Sequence, residues 1–187
     1  MKNLNLLIAI LITTILFSCS SKDDDNSNRS SGFSVEGKYY PTPNGYIVTN
    51  ANGTHNYPEA FYLSNGTIIN NEWTGGNHCD FSNDLTQSVI FYIQPTLLTE
   101  LTDGTYNYEL NTTEPFIQHV NFGVKTKILN NCIFSEVSMD TPQFESGNLK
   151  IVVSGNIYKI TYSFQRIDDE IIEGTYTGEL QLVQDLR

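Results

Sequence analysis

The sequence predicts an all-β protein, and three observations predict it. Turn signals recur along the whole chain after residue 32: Pro43-Asn44-Gly45, Asn52-Gly53, Asn65-Gly66, Asp103-Gly104, Ser146-Gly147-Asn148 and Gly155-Asn156. Asn-Gly and Asp-Gly pairs suit tight hairpins because both central residues take positive φ at little cost. Between these signals lie stretches rich in β-branched and aromatic residues, the composition of strands. No window keeps apolar residues at helical spacing over three turns.

In chain order the expected strands are Ser34–Tyr40, Tyr46–Asn50, Ala60–Ser64, Thr67–Asn70, Ser88–Gln94, Thr105–Leu110, Phe116–Leu129, Cys132–Ser138, Leu149–Ser154, Ile157–Ile167 and Ile171–Val183. Gln94–Leu101 has room for one helical turn, weakened by Pro95 and its threonines. The last two strands are the clearest. Tyr158, Ile160, Tyr162 and Phe164 share one face, while Lys159, Thr161, Ser163 and Gln165 share the other. This period of two marks a strand with one buried and one wet face. Asp168-Asp169-Glu170 turns the chain, and Ile172, Gly174, Tyr176, Gly178, Leu180 and Leu182 then share a face. Glycines interleaved with a large ring predict a strand that bends where other side chains press close. Long, bent strands in sequential hairpins favour a single antiparallel meander β-barrel of about 8–10 strands, with a two-sheet β-sandwich as the alternative.

The first eighteen residues read as a segment to be removed. Lys2 gives a positive start and Leu6–Phe17 an apolar run of twelve residues. As a helix that run spans roughly 18 Å, short of the roughly 30 Å core of a bilayer, and it matches the apolar part of a signal peptide. Leu16-Phe17-Ser18-Cys19 places a small residue directly before a cysteine, and this resembles a bacterial lipoprotein cleavage site. The resemblance implies that Cys19 becomes the first mature residue and carries lipid, palmitate among it. Residues 20–32 contain no aliphatic or aromatic side chain, so they cannot offset the entropy of ordering and should form a tether. Lys22-Asp23-Asp24-Asp25 resembles the export signal of surface-exposed lipoproteins of the Bacteroidetes type. The Gly155-Asn156 hairpin with Gly174-Thr175-Tyr176-Thr177-Gly178 is similar to the C-terminal half of many small surface lipoproteins of this type. The likeness implies an outer-membrane, surface-exposed, lipid-anchored location. A lipocalin-like or streptavidin-like barrel is an analogue by shape, although the early Gly-x-Trp of lipocalins is missing, since Lys38 and Tyr39 follow Gly37.

Three parts are therefore expected: a signal peptide at 1–18, a lipidated tether at 19–32, and one all-β domain at 33–187. A domain of about 155 residues buries roughly 70% of its unfolded surface and folds without a metal. The formal charge of −11 becomes −12 when Lys2 leaves. Such an excess of acid argues against nucleic acid, whose phosphates demand clustered Lys and Arg, and against electrostatic attachment to anionic lipid. Setting Cys19 aside leaves Cys79 and Cys132 as an even pair, expected to form a disulfide in an oxidising compartment.

The search for chemistry finds no catalytic constellation and implies no cofactor. No Gly-x-Ser-x-Gly elbow, phosphate loop or His-Glu-x-x-His pair is present. His78-Cys79-Asp80 with Glu72 is the one cluster of metal-type ligands, yet it lacks a second His or Cys at ligand spacing, so no metal is expected. His55 follows a turn and is expected exposed; His119 falls with Asn121 and Gly123 on the more polar face of its strand. Eleven tyrosines and one tryptophan offer more, because several sit in Asn- and Gly-rich segments where alternation fails. Aromatic faces beside Asn side chains are what a sugar- or peptide-binding surface uses. Tyr46, Tyr57, Trp73 and His78 are the candidate ligand-binding residues, and the connection Asn71–Gln87 is the candidate binding loop. The expected function is a membrane-anchored, non-catalytic binding or interaction domain for a glycan, peptide or small hydrophobic molecule. The alternative is an accessory subunit of an outer-membrane complex.

Overall fold

A computed structural model of the chain describes residues 31–50, 58–70, 72–73, 80–94, 102–108, 116–139 and 143–185. Within them the protein is all-β, with thirteen strands and no α-helix. Cys19, the tether up to residue 30, Cys79 and the turn expected within 95–101 lie outside the described residues.

The strands sort into two sheets. The first contains β1 (Gly32–Val35), β2 (Lys38–Pro41), β7 (Gly104–Asn107), β10 (Phe144–Ser154), β11 (Ile157–Arg166) and β12 (Ile171–Gly178), in the order β2-β1-β12-β11-β10-β7. The second contains β3 (Asn44–Asn50), β4 (Pro58–Ser64), β5 (Glu72–Trp73), β6 (Gln87–Gln94), β8 (Phe116–Leu129), β9 (Cys132–Met139) and β13 (Gln181–Asp185), in the order β5-β13-β3-β4-β6-β8-β9. Among the described residues the all-β class holds, with two sheets that agree with either the barrel or the sandwich, and two features depart from a simple meander. The C-terminal strand β13 pairs parallel to β3 and β5, and the first sheet places β12 beside β1.

The alternation of the late strands does the packing it predicts. Ile160, Tyr162 and Phe164 on β11 and Ile172 and Tyr176 on β12 are buried between the sheets. They meet Phe61 and Leu63 on β4, Val89 and Phe91 on β6, and Val120, Phe122 and Val124 on β8. Rings interlock across the gap: Phe91 lies 4.9 Å from Tyr162 and 5.9 Å from Phe164, and Phe122 lies 5.2 Å from Phe33 and 5.6 Å from Phe144. Offset and edge-on pairs of this kind each add about 0.5–1.5 kcal/mol beyond their buried area.

Three expected strands divide or dissolve. Ser34–Tyr40 is the hairpin β1–β2, reversed at Glu36 and Gly37 with φ of 51° and 69°. Ile171–Val183 breaks at Glu179 and Leu180, where the chain leaves the first sheet for the second. The break changes the alternation, so Val183 is buried while Leu182 is half exposed. Thr67–Asn70 is no strand, keeping one isolated bridge between Ile68 and Phe81. Its residues are committed to a different structure, a flap over the second sheet.

Candidate functional surfaces

The second sheet is covered on its inner face and over part of its outer face. Its inner face meets the first sheet; its outer face carries a smaller core of Tyr46, Val48, Ala60, Tyr62 and Val183, roofed by Ile68, Phe81 and Leu85 from the β4–β6 connection. Asn65 braces the base of this flap. Its amide nitrogen donates to the Asp84 carbonyl at 3.0 Å and to Thr86 Oγ1 at 3.1 Å. Its amide oxygen accepts from the Thr86 and Gln87 N–H groups at 2.8 and 2.9 Å. Within the flap Thr67 and Ser82 bond reciprocally, as Thr67 N–H donates to Ser82 Oγ and Ser82 N–H to the Thr67 carbonyl. The far end is tied to the β8–β9 turn, where Phe81 N–H donates to the Asn131 carbonyl.

This arrangement decides what Tyr46 does. The ring is fully buried beneath the flap, and its hydroxyl accepts the Ile68 N–H at 3.0 Å. Burial pushes its ionisation above the usual phenol range, outweighing the opposing effect of that hydrogen bond. A ligand reaching this ring would first have to lift the flap. Trp73 is placed by backbone only, paired with Asp185 at the edge of the second sheet. The Trp73 side chain, Tyr57, His55 and His78 lie outside the described residues.

An aromatic pair that the pattern does not single out faces outward instead. Tyr92 on β6 stands opposite His119 on β8, with ring centroids 5.3 Å apart at 65°. Tyr92 keeps 41% of its surface exposed. His119 is on the polar face with Asn121 and Gly123, as alternation implies, because Val120, Phe122 and Val124 turn inward. The signal for Tyr92 is the same parity, since its neighbours Phe91 and Ile93 are buried.

No family model, curated protein or solved structure matches the chain. Its functional reading therefore rests on its own surfaces.

The first sheet has an open cleft of about 200 Å³ where two hairpins meet, lined by Ser34, Val35, Glu36, Glu170, Ile171 and Glu173. Glu170 Oε1 accepts the Glu36 N–H at 2.7 Å, which ties the β1–β2 turn to the β11–β12 turn. Arg166 binds Asp168 at 3.0 Å and lies 4.0 Å from Glu36. These contacts fasten hairpins and do not converge on a point where a reacting atom could sit. Among the described residues, no three His, Cys, Asp or Glu side chains group to hold a metal ion.

Proposed function

We propose that the protein is a lipid-anchored, non-catalytic interaction module of the bacterial outer membrane, binding a glycan or peptide through its outer surface. The observation that carries the surface assignment is the ring-packed space between the sheets among the described residues. Rings of Phe33, Phe91, Phe122, Phe144, Tyr162 and Phe164 occupy the space between the sheets at near-contact distances. A small hydrophobic guest would have to displace them. The outward pair Tyr92–His119 offers a ring face beside groups that both donate and accept hydrogen bonds, which is the chemistry of sugar and peptide contacts. The anchor rests on the signal pattern ending at Cys19 and the apolar-free tether behind it. At least two acyl chains give stable attachment where one does not.

Two measurements test this reading. Metabolic labelling with radioactive palmitate should mark the wild-type chain in the membrane fraction and leave Cys19→Ser unlabelled; an unlabelled wild-type chain overturns the anchor. The full chain should bind members of a glycan and peptide array, with binding weakened at least about tenfold by Tyr92→Ala. No binding to either class overturns the recognition role.

A second reading has its own observation. Among the described residues β9 is an edge strand of eight residues with Ile133 and Val137 exposed, an apolar edge suited to a protein neighbour. An accessory subunit would crosslink through this strand to an outer-membrane protein in intact cells.

A further inference from the structure

Strand β8 carries one residue too many for its partner. Tyr92 pairs with His119 and Ile93 pairs with Ile117, so Gln118 is an extra residue opposite a single step of β6. On either side of this step the side chains turn inward: Ile117 and Val120 are fully buried in the core between the sheets. Gln118 and His119 between them both face outward, Gln118 exposed and His119 half-buried. Regular alternation sends one of two such neighbours inward. A bulge of this kind re-aims a side chain, and bulges are over-represented beside functional sites. Here it sets a carboxamide next to the Tyr92–His119 ring pair, whose centroids are 5.3 Å apart. Asn121, half-buried, is the next outward residue of β8, about 7 Å along the strand from His119.

We infer that this face binds a neutral glycan, with Tyr92 as the stacking platform and the carboxamides of Gln118 and Asn121 pairing with hydroxyl groups. The inference rests on the recognition role proposed above and narrows it to one ligand class. Three properties select that class. The C–H face of a sugar ring is apolar and lies flat on an aromatic ring, and Tyr92 presents 41% of its surface. Each carboxamide offers two donors and an acceptor side by side, which suits adjacent hydroxyls that are each donor and acceptor at once. The outward positions around the pair are Ala60, Ile90, Tyr92, Gln118, His119 and Asn121, none of them Lys, Arg, Asp or Glu. A charged glycan finds no fixed counter-charge there, and the chain's formal charge of −11 repels an acidic one. A peptide bound by strand addition needs main-chain groups at a sheet edge. Tyr92 sits on β6, flanked by β4 and β8, so its strand offers a ligand side chains instead.

The test places the full chain on an oligosaccharide array with neutral and uronate-bearing members, beside a peptide array. Binding is expected on neutral oligosaccharides alone. The tightest of these is then titrated calorimetrically. Gln118→Ala and Asn121→Ala should each raise Kd at least about tenfold, and Tyr92→Ala should raise it further. Gln118 is exposed, so its replacement tests the contact without disturbing the core. Thr161→Ala, on the exposed face of β11 in the other sheet, should leave Kd unchanged. Preference for uronate-bearing members overturns the neutral assignment. Neutral binding indifferent to both carboxamide variants overturns the role of the bulge. Binding to peptides alone, lost in Tyr92→Ala, overturns the glycan and leaves the recognition role standing, whereas silence on both arrays overturns both.

Discussion

Gly45 lies directly under the ring of Tyr176: a Cβ built on Gly45 would fall 2.5 Å from Tyr176 Cζ and 2.7 Å from Leu180 Cδ2. The contact sits where the chain changes sheets. Tyr176 closes β12, its hydroxyl donates to the Glu179 carbonyl at 2.5 Å, and β13 then runs parallel to β3, the strand that carries Gly45. A bare backbone on β3 is what lets the ring occupy the corner.

Gly45→Ala is accordingly expected to destabilise by about 1–3 kcal/mol, because the ring and the strand must part. The midpoint of urea unfolding reads this directly. Gly104→Ala is the matched control, since its Cβ would meet nothing closer than 3.8 Å and should leave the midpoint within about 0.5 kcal/mol. Equal effects at both positions would show that the corner contact has no special role.

Asn65→Ala should loosen the flap. It removes one side chain that donates twice and accepts twice, leaving the Thr86 and Gln87 N–H groups to find water. The site is partly exposed, so water compensates in part, and a loss of about 1–2 kcal/mol is expected. Limited proteolysis should cut first within residues 65–86, with β10–β12 intact. Asn65→Asp keeps the two accepted bonds and should lose less.

Alkaline pH should weaken the fold through buried phenols. Burial pushes Tyr162 far above the usual phenol range, and Tyr46, Tyr108 and Tyr176 move the same way, chiefly for the same reason. A group whose folded pKa lies above its unfolded value contributes its stability fully below the unfolded value. That contribution is then lost as pH rises toward the folded value. Stability is therefore expected to be level up to pH about 10 and to fall beyond it. Tyrosinate absorbance should show several phenols resisting ionisation until the far-ultraviolet dichroism collapses. If all eleven tyrosines titrate together near the ordinary value with the fold intact, the buried assignments fail.

What the chain announces about itself, and what it hides, follows from the range of the interactions. Tyr158 to Phe164 show their faces because strand alternation is local and one-sided burial enforces it. The same parity places His119 outward. The Asn65-Gly66 signal is genuine as a turn and misleading as a hairpin. Asn65 stands at the foot of the flap, and the partner of β4 is β6, past residues that cross the sheet's outer face. Nothing local distinguishes a two-residue reversal from the start of such an excursion. Tyr46 has the composition of a surface aromatic, an exposed-looking residue beside Asn and Gly, until Ile68 and Phe81 arrive from more than twenty residues away. The sheet change at Glu179 and Leu180 is similarly non-local, decided by whether β3 has room for Tyr176.

The reversal at Glu36 and Gly37 gives the one change expected to stabilise. Val35 pairs with Lys38, leaving a two-residue loop in which both residues hold positive φ, the geometry that suits the twist of a hairpin. Gly37 adopts this freely; Glu36, at 51°, carries a Cβ close to its own carbonyl and is strained. Its carboxylate returns little, being 76% exposed and 4.0 Å from Arg166, a contact that solvent screens almost entirely. The bond that does tie this turn to Glu170 uses the Glu36 N–H, which any residue other than proline retains. Glu36→Asn should therefore raise the unfolding free energy by about 0.5–1 kcal/mol, because Asn tolerates the left-handed region. Gly37→Ala should lower it by at least about 1 kcal/mol, since alanine at positive φ is strained whatever space surrounds it. Thermal melts of the two variants beside wild type would shift in opposite directions. A fall for Glu36→Asn would instead make the ion pair with Arg166 the stronger of the two effects.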